Sequence, residues 1–161
     1  MFQWINHNSL YIITFLFPIV LSIIFYNYVS KNKLIFFSVF LLLLLISITT
    51  KIIIEPGNKA NSLEISSILS DDKPMVIEFY SPNCMGCVIS EKPFLDFQES
   101  YSERYSTFQI DIYDKNYSDL IRKYEITSTP TFVLIHKGKL VDKYVGLLTN
   151  KEKLYIRFKD K

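Results

Sequence analysis

A mixed α/β fold, with helices on both faces of a central sheet and a two-helix apolar hairpin ahead of it, is predicted by three features of the sequence. Residues 1–54 are almost wholly apolar, with Lys31, Lys33 and Lys51 their only Lys or Arg residues, whereas 55–161 hold every acidic residue. From residue 75 onward, short apolar runs alternate with segments of helical period in the order β-α-β-α-β-β-α, a pattern that builds a mixed sheet covered on both sides. The chain's two cysteines, Cys84 and Cys87, lie where the first of those strands passes into the first of those helices.

The hairpin comes first. Residues 10–29 contain no charged side chain, and 34–50 are again uncharged up to Lys51. Each run is long enough to cross a hydrocarbon core of about 30 Å, the second reaching residue 54 if Lys51 snorkels to the interface. Soluble helices show a polar face, and these do not. A cleaved signal peptide fits poorly, because no Lys or Arg precedes Leu10 and bulky residues fill the place of a cleavage site. The expected organisation is therefore a transmembrane hairpin over 1–55, with spans near 10–29 and 34–54, a linker over 56–62 and a folded domain over 63–161. Lys31 and Lys33 lie in the loop between the spans, which the positive-inside rule leaves in the cytoplasm. Both chain ends then lie on the extracytoplasmic side, and membrane lipid is a partner of residues 10–54.

Within the domain, Pro56-Gly57-Asn58 marks the linker and 63–69 reads as a short helix. Residues 75–80 form an apolar strand bracketed by Pro74 and Pro82. A helix is expected from Met85 to about Tyr105, with Phe94, Phe97 and Tyr101 at helical spacing and a bend at Pro93. Residues 108–112 alternate as a strand, 118–124 form a short helix, and 131–135 form a second apolar strand. Lys137-Gly138 turns the chain into 140–145, and Thr149 or Asn150 caps a last helix through Phe158.

A CxxC at a strand-to-helix junction has a specific chemical meaning. The helix N-terminus presents unpaired N–H groups and positive partial charge, both of which favour thiolate over thiol. The spacing brings both sulfurs onto one turn. Cys84, at the end, is expected to be exposed and to attack first; Cys87, one turn in, to be more buried and to resolve the mixed disulfide. Two cysteines are too few for a disulfide framework. A closed zinc site needs four ligands, and the only histidines are His7 and His136. No metal or organic cofactor is expected. Acids and bases nearly balance beyond Gly57, so nothing points to nucleic acid.

The sequence resembles the thioredoxin family over about 63–158. The resemblance rests on Val76-Ile77-Glu78-Phe79-Tyr80-Ser81-Pro82-Asn83-Cys84-Met85-Gly86-Cys87, on Ser128-Thr129-Pro130-Thr131-Phe132 after Lys123-Tyr124-Glu125-Ile126, on Lys137-Gly138-Lys139, and on Val145-Gly146-Leu147-Leu148. It implies a thioredoxin-like fold, with Cys84 as nucleophile and Cys87 as resolving cysteine of a redox-active disulfide. It also implies a cis-proline at Pro130 beside them and a buried acid at Glu78 that moves protons to and from Cys87. Asn83, Met85, Gly86 and Thr129 are then expected to line the substrate groove. The implied activity is thiol–disulfide exchange on protein substrates, in extracytoplasmic thiol maturation; the alternative is a non-catalytic binding or assembly module at the membrane. The hairpin contains no cysteine, so electrons must pass to or from a separate redox partner protein. The chain departs from the family pattern at Asn83, where many members have Trp, in its Met-Gly inner pair, at Pro93, one residue late, and at Gln109, where some carry a lysine.

Overall fold

The computed structural model describes residues 2–29, a few helical residues between 38 and 49, and residues 73–161. The expected linker and the helix over 63–69 lie outside the described residues, as does most of the second expected span. Among the described residues no helix is long and apolar enough to cross a membrane, so the two-span hairpin is not shown. The chain instead opens with α1 (Phe2–His7) and, after a break at Asn8, α2 (Ser9–Val29). α2 carries no charged side chain, but its first turn is not free, because it is hydrogen-bonded to the sheet domain as described below.

The remaining elements are β1 (Met75–Tyr80), α3 (Met85–Ser100), β2 (Ser106–Asp111), a 3-10 turn (Lys115–Tyr117), α4 (Ser118–Lys123), β3 (Thr131–His136), β4 (Lys139–Val145) and α5 (Lys151–Phe158). The sheet order is β2-β1-β3-β4. β1 runs parallel to β2 and antiparallel to β3, and β3 runs antiparallel to β4. The mixed sheet expected from the element order is therefore present.

Strand periodicity decides what faces what, since successive side chains point to opposite faces. Met75, Ile77 and Phe79 of β1 pack with Val133 and Ile135 of β3 against Leu120 of α4 and Tyr117 and Tyr124 beside it. Val76 packs with Phe132 and Leu134 on the other face, against Phe94 and Phe97 of α3 and Leu154 and Phe158 of α5. Glu78 follows Val76 by two residues, so the same alternation turns its carboxyl toward the α3 face. β1 and β3 are buried on both faces, which is why both read as continuous apolar runs rather than alternating ones.

Two boundaries differ from expectation. α3 runs through Pro93 but stops at Ser100, five residues early. Tyr101 leaves helical geometry (φ −121°), and its ring stacks on Tyr155 of α5 with centroids 4.4 Å apart. That aromatic contact, together with the burial of Tyr105, takes the chain into β2 two residues sooner than its apolar alternation suggested. The β3–β4 turn has positive φ at both Lys137 (50°) and Gly138 (72°), the geometry whose twist matches that of a two-residue hairpin.

Candidate active site

β1 delivers the chain to the site through a tight turn in which the Cys84 amide donates to the Ser81 carbonyl (3.1 Å). Cys84 is the N-cap of α3, in extended conformation, and its carbonyl accepts from the Cys87 amide at 3.0 Å and the Val88 amide at 3.2 Å. Those bonds go to the Cys84 carbonyl; it is the Gly86 and Cys87 amides that favour the thiolate at the Cys84 sulfur. The two cysteines are reduced and hydrogen-bonded to each other. That bond, reinforced by Thr129 and the Cys87 and Gly86 amides, outweighs desolvation and brings the Cys84 thiol down to about 6. Burial pushes the Cys87 thiol up, and the neighbouring Cys84 and Glu78 charges push it further. The pair therefore divides into one sulfur that ionises readily and one that holds its proton.

The opposite wall is the loop before β3. The Thr129–Pro130 peptide is cis. The Cys84 thiol donates to the Thr129 carbonyl at 3.3 Å, and the Gly146 amide donates to the Pro130 carbonyl at 3.0 Å. A Cβ at Gly86 would lie 3.1 Å from Pro130 Cδ and 3.7 Å from Cys84 Sγ. The absence of a side chain at Gly86 is what lets the first turn of α3 come this close to the proline ring. Buried Ser90 accepts from the Leu148 amide at 2.9 Å and ties the loop after β4 to α3.

Beneath the cysteines lies Glu78, 1% exposed. Its carboxyl accepts a hydrogen bond from the Gln109 side-chain amide, at 2.7 Å, across the parallel β1–β2 pairing that sets Glu78 beside Gln109. Desolvation pushes the Glu78 carboxyl up to about 8 against the opposing effect of that bond. A partly solvated strand-edge position, the ordinary place for such an acid, does not describe it. Gln109 supplies a neutral donor where a cation would pull the carboxyl back toward ionisation.

Exposure is where sequence and structure part. Cys84, expected at the surface, is only 1% exposed, against 4% for Cys87. The physical reason is the N-terminal segment. The Thr129 amide donates to Asn6 Oδ1 (2.8 Å), with the Thr129 hydroxyl at 3.3 Å from the same oxygen. The Ser81 hydroxyl donates to the His7 carbonyl (2.9 Å), and the Met85 amide to Ser9 Oγ (2.9 Å). The Leu10 amide donates to the Asn83 carbonyl (2.9 Å), and Leu10 is itself buried. The expected groove residues Asn83, Met85 and Thr129 thus lie together around Cys84, each with a partner from residues 6–10. Sequence reasoning missed Asn6, His7, Ser9, Ser81 and Ser90. The available signal was the run of uncharged hydrogen-bonding residues, Asn6-His7-Asn8-Ser9, set just ahead of an apolar segment.

The thioredoxin family profile matches residues 58–159. The chain is 31% identical to thioredoxin-T of Drosophila melanogaster over 96 residues, 60% of either chain. It is 32% identical to the chloroplastic thioredoxin Y2 of Arabidopsis thaliana over 79 residues, 49% of this chain and 46% of that one. It thus spans about half to three-fifths of the length of these relatives. Among solved structures, mitochondrial thioredoxin 3 from Saccharomyces cerevisiae, in its oxidised form, superposes with a TM-score of 0.52 at 26% identity, covering 61% of this chain and 88% of that one. The matched region holds the sheet, the cysteine pair and the cis-proline loop, and the chain belongs to the thioredoxin family.

Proposed function

We propose that the chain carries out thiol–disulfide exchange on protein substrates through Cys84 and Cys87. The observation that supports this best is the geometry of the pair: Cys84 caps the N-terminus of α3, Cys87 lies one turn in, and the cis Thr129–Pro130 peptide lies against them, with the Thr129 carbonyl 3.3 Å from the Cys84 sulfur. The Cys84 thiolate attacks one sulfur of a substrate disulfide, a Cys84–substrate disulfide forms, and the other substrate sulfur leaves as a thiolate. Cys87 then gives its proton to the Glu78 carboxylate and attacks Cys84 Sγ. The Cys84–Cys87 disulfide closes and the second substrate sulfur leaves as a thiolate; the substrate carries off two electrons, and its two thiolates take their protons from Glu78 and water. The reverse sequence oxidises a dithiol. Burial brings the Glu78 carboxyl up to about 8, close enough to neutral pH for it both to accept and to release a proton. Thr129, Pro130 and Gly86 shape the wall against which the substrate chain lies. No organic cofactor enters these steps, and a separate redox partner protein resets the pair.

A membrane tether belongs to the same proposal. Its support is the uncharged sequence of 10–29 and the exposure of large apolar side chains along α2, with Phe15, Phe17 and Ile23 each at least 60% exposed. Apolar side chains exposed in that number call for a nonaqueous neighbour. Tethering concentrates the cysteine pair near membrane-bound substrates, and the lysines between the two spans place it on the extracytoplasmic side. Carbonate washing is expected to leave the protein in the membrane fraction, and a reporter fused after Lys161 to read the extracytoplasmic compartment. Release without detergent, or a cytoplasmic reading, removes the corresponding half of the proposal.

An equilibrium redox titration tests the chemistry. A reversible two-electron transition between about −120 and −300 mV is expected. A pair that stays reduced, or oxidises irreversibly, favours the alternative of a non-catalytic binding or assembly module, the reading that fits the cover over Cys84.

A further inference from the structure

The geometry points to residues 6–10 as an autoinhibitory latch: a segment of the chain's own N-terminus that occupies the approach to Cys84 and must swing away before a substrate disulfide can reach it. This rests on the exchange reading above and adds a control on it. Four observations carry it. The segment takes hydrogen bonds from the Thr129 amide, the Ser81 hydroxyl and the Met85 amide, and gives one to the Asn83 carbonyl. These groups lie on both sides of Cys84, in the cysteine turn and in the proline loop. Cys84 and Leu10 are both buried, although an N-cap at the end of a strand is ordinarily open to solvent. The contacts join residues 73 to 123 apart in sequence, so local chain geometry does not impose them. Finally, the closed arrangement is incompletely satisfied: His7 Nε2 is buried with no hydrogen-bond partner, which offsets part of what the other bonds contribute.

That imbalance suits a latch rather than a fixed wall. An in-line attack on a disulfide needs room for a second sulfur beside Cys84 Sγ, and Cys84 is 1% exposed with the segment bonded to the residues on both sides of it. An extended substrate chain can satisfy the Thr129 and Met85 amides with its own backbone carbonyls, so substrate and latch compete for the same donors. The apparent reactivity of Cys84 is then its intrinsic reactivity multiplied by the fraction of open molecules. Because Ser9 and Leu10 are also the first turn of α2, a shift of α2 relative to the sheet moves the latch directly.

The test uses the full chain. In Asn6→Ala/Ser9→Ala, the alkylation rate of reduced Cys84 by iodoacetamide at neutral pH is expected to rise by roughly tenfold, the net effect of losing the hydrogen bonds that Asn6 and Ser9 accept in the closed state. Reduction of insulin disulfides should accelerate by a similar factor. Leu10→Pro, which removes the amide that bonds the Asn83 carbonyl, should act in the same direction. Amide hydrogen exchange at Thr129 and Met85 provides a reading without mutation: slow in the wild type, fast in the variants. Fast exchange at both amides in the wild type, or equal alkylation rates in wild type and variants, overturns the latch. If alkylation accelerates in the variants while no form reduces insulin, the latch stands and the exchange reading fails.

Discussion

Cys87→Ser is expected to convert the protein from an exchanger into a covalent trap. Cys84 and its helix-terminal position survive the change, so the first displacement still occurs and a Cys84–substrate disulfide forms. The second displacement needs a sulfur at position 87, and serine oxygen does not attack a disulfide at a useful rate. Turnover should fall by a hundredfold or more, on the order seen when one member of a cooperating catalytic set is removed. Complexes that dissolve in reductant should accumulate in its place. The variant also loses the Cys87 hydrogen bond, the main cause of the low Cys84 pKa, so trapping should be slower at pH 6 than at pH 8, with the serine hydroxyl restoring part of the bond. Cys84→Ser with Cys87→Ser should trap nothing, and its turnover should be no lower than that of Cys84→Ser alone, since the two sulfurs act as one unit. Gel electrophoresis with and without reductant, on whole extracts of cells making each variant, reads the result. A folded Cys87→Ser protein that traps no partner contradicts catalysis by this pair.

The fold was legible because its signals are local. Continuous apolar runs at β1 and β3 announce strands buried on both faces, Asn150 caps α5 by accepting from the Lys153 amide at 3.0 Å, and Lys137-Gly138 marks the hairpin. The cysteine pair was legible for the same reason, since strand, turn and helix N-terminus are contiguous in sequence. The end of α3 was not, because it is set by the stacking of the Tyr101 ring on that of Tyr155, 54 residues away. The burial of Cys84 was still less accessible. It depends on Asn6 meeting Thr129 across 123 residues, and no periodicity or motif encodes such a contact. Gln109 falls between these cases: its place opposite Glu78 follows from strand register, but that its amide donates to the carboxyl needed the structure.

The second large effect is in the pH dependence of stability, and Glu78→Gln isolates it. The Glu78 carboxyl titrates near 4.5 when unfolded and at about 8 in the folded protein. Between those values the folded state holds a proton that the unfolded state has lost, so stability falls as pH rises, with a slope approaching about 1.4 kcal/mol per pH unit. The Cys84 thiol works the other way. Its pKa drops from 9.0 to about 6 on folding, so between pH 6 and 9 the unfolded state holds the extra proton and stability rises with pH. The two slopes oppose each other from pH 6 to 8. The reduced wild type should therefore lose stability from pH 4.5 to 6, stay level to pH 8, and recover toward pH 9. Glu78→Gln removes the falling limb and keeps an oxygen for the Gln109 donor, so its stability should be flat to pH 6 and then rise. Above pH 8 the variant should be more stable than the wild type by on the order of a few kcal/mol, the desolvation of a buried carboxylate no longer being required. Cys84→Ser should show only the falling limb. The same exchange of carboxyl for amide removes the proton acceptor of Cys87, so disulfide closure should slow by roughly a hundredfold at pH 8 even as the fold is stabilised. Urea denaturation of the reduced proteins from pH 5 to 9, with closure rates measured alongside, separates the two consequences. Parallel stability profiles for wild type and Glu78→Gln would show that the carboxyl ionises freely in place; a changed profile with an unchanged closure rate would leave Glu78 buried and perturbed but outside the proton path.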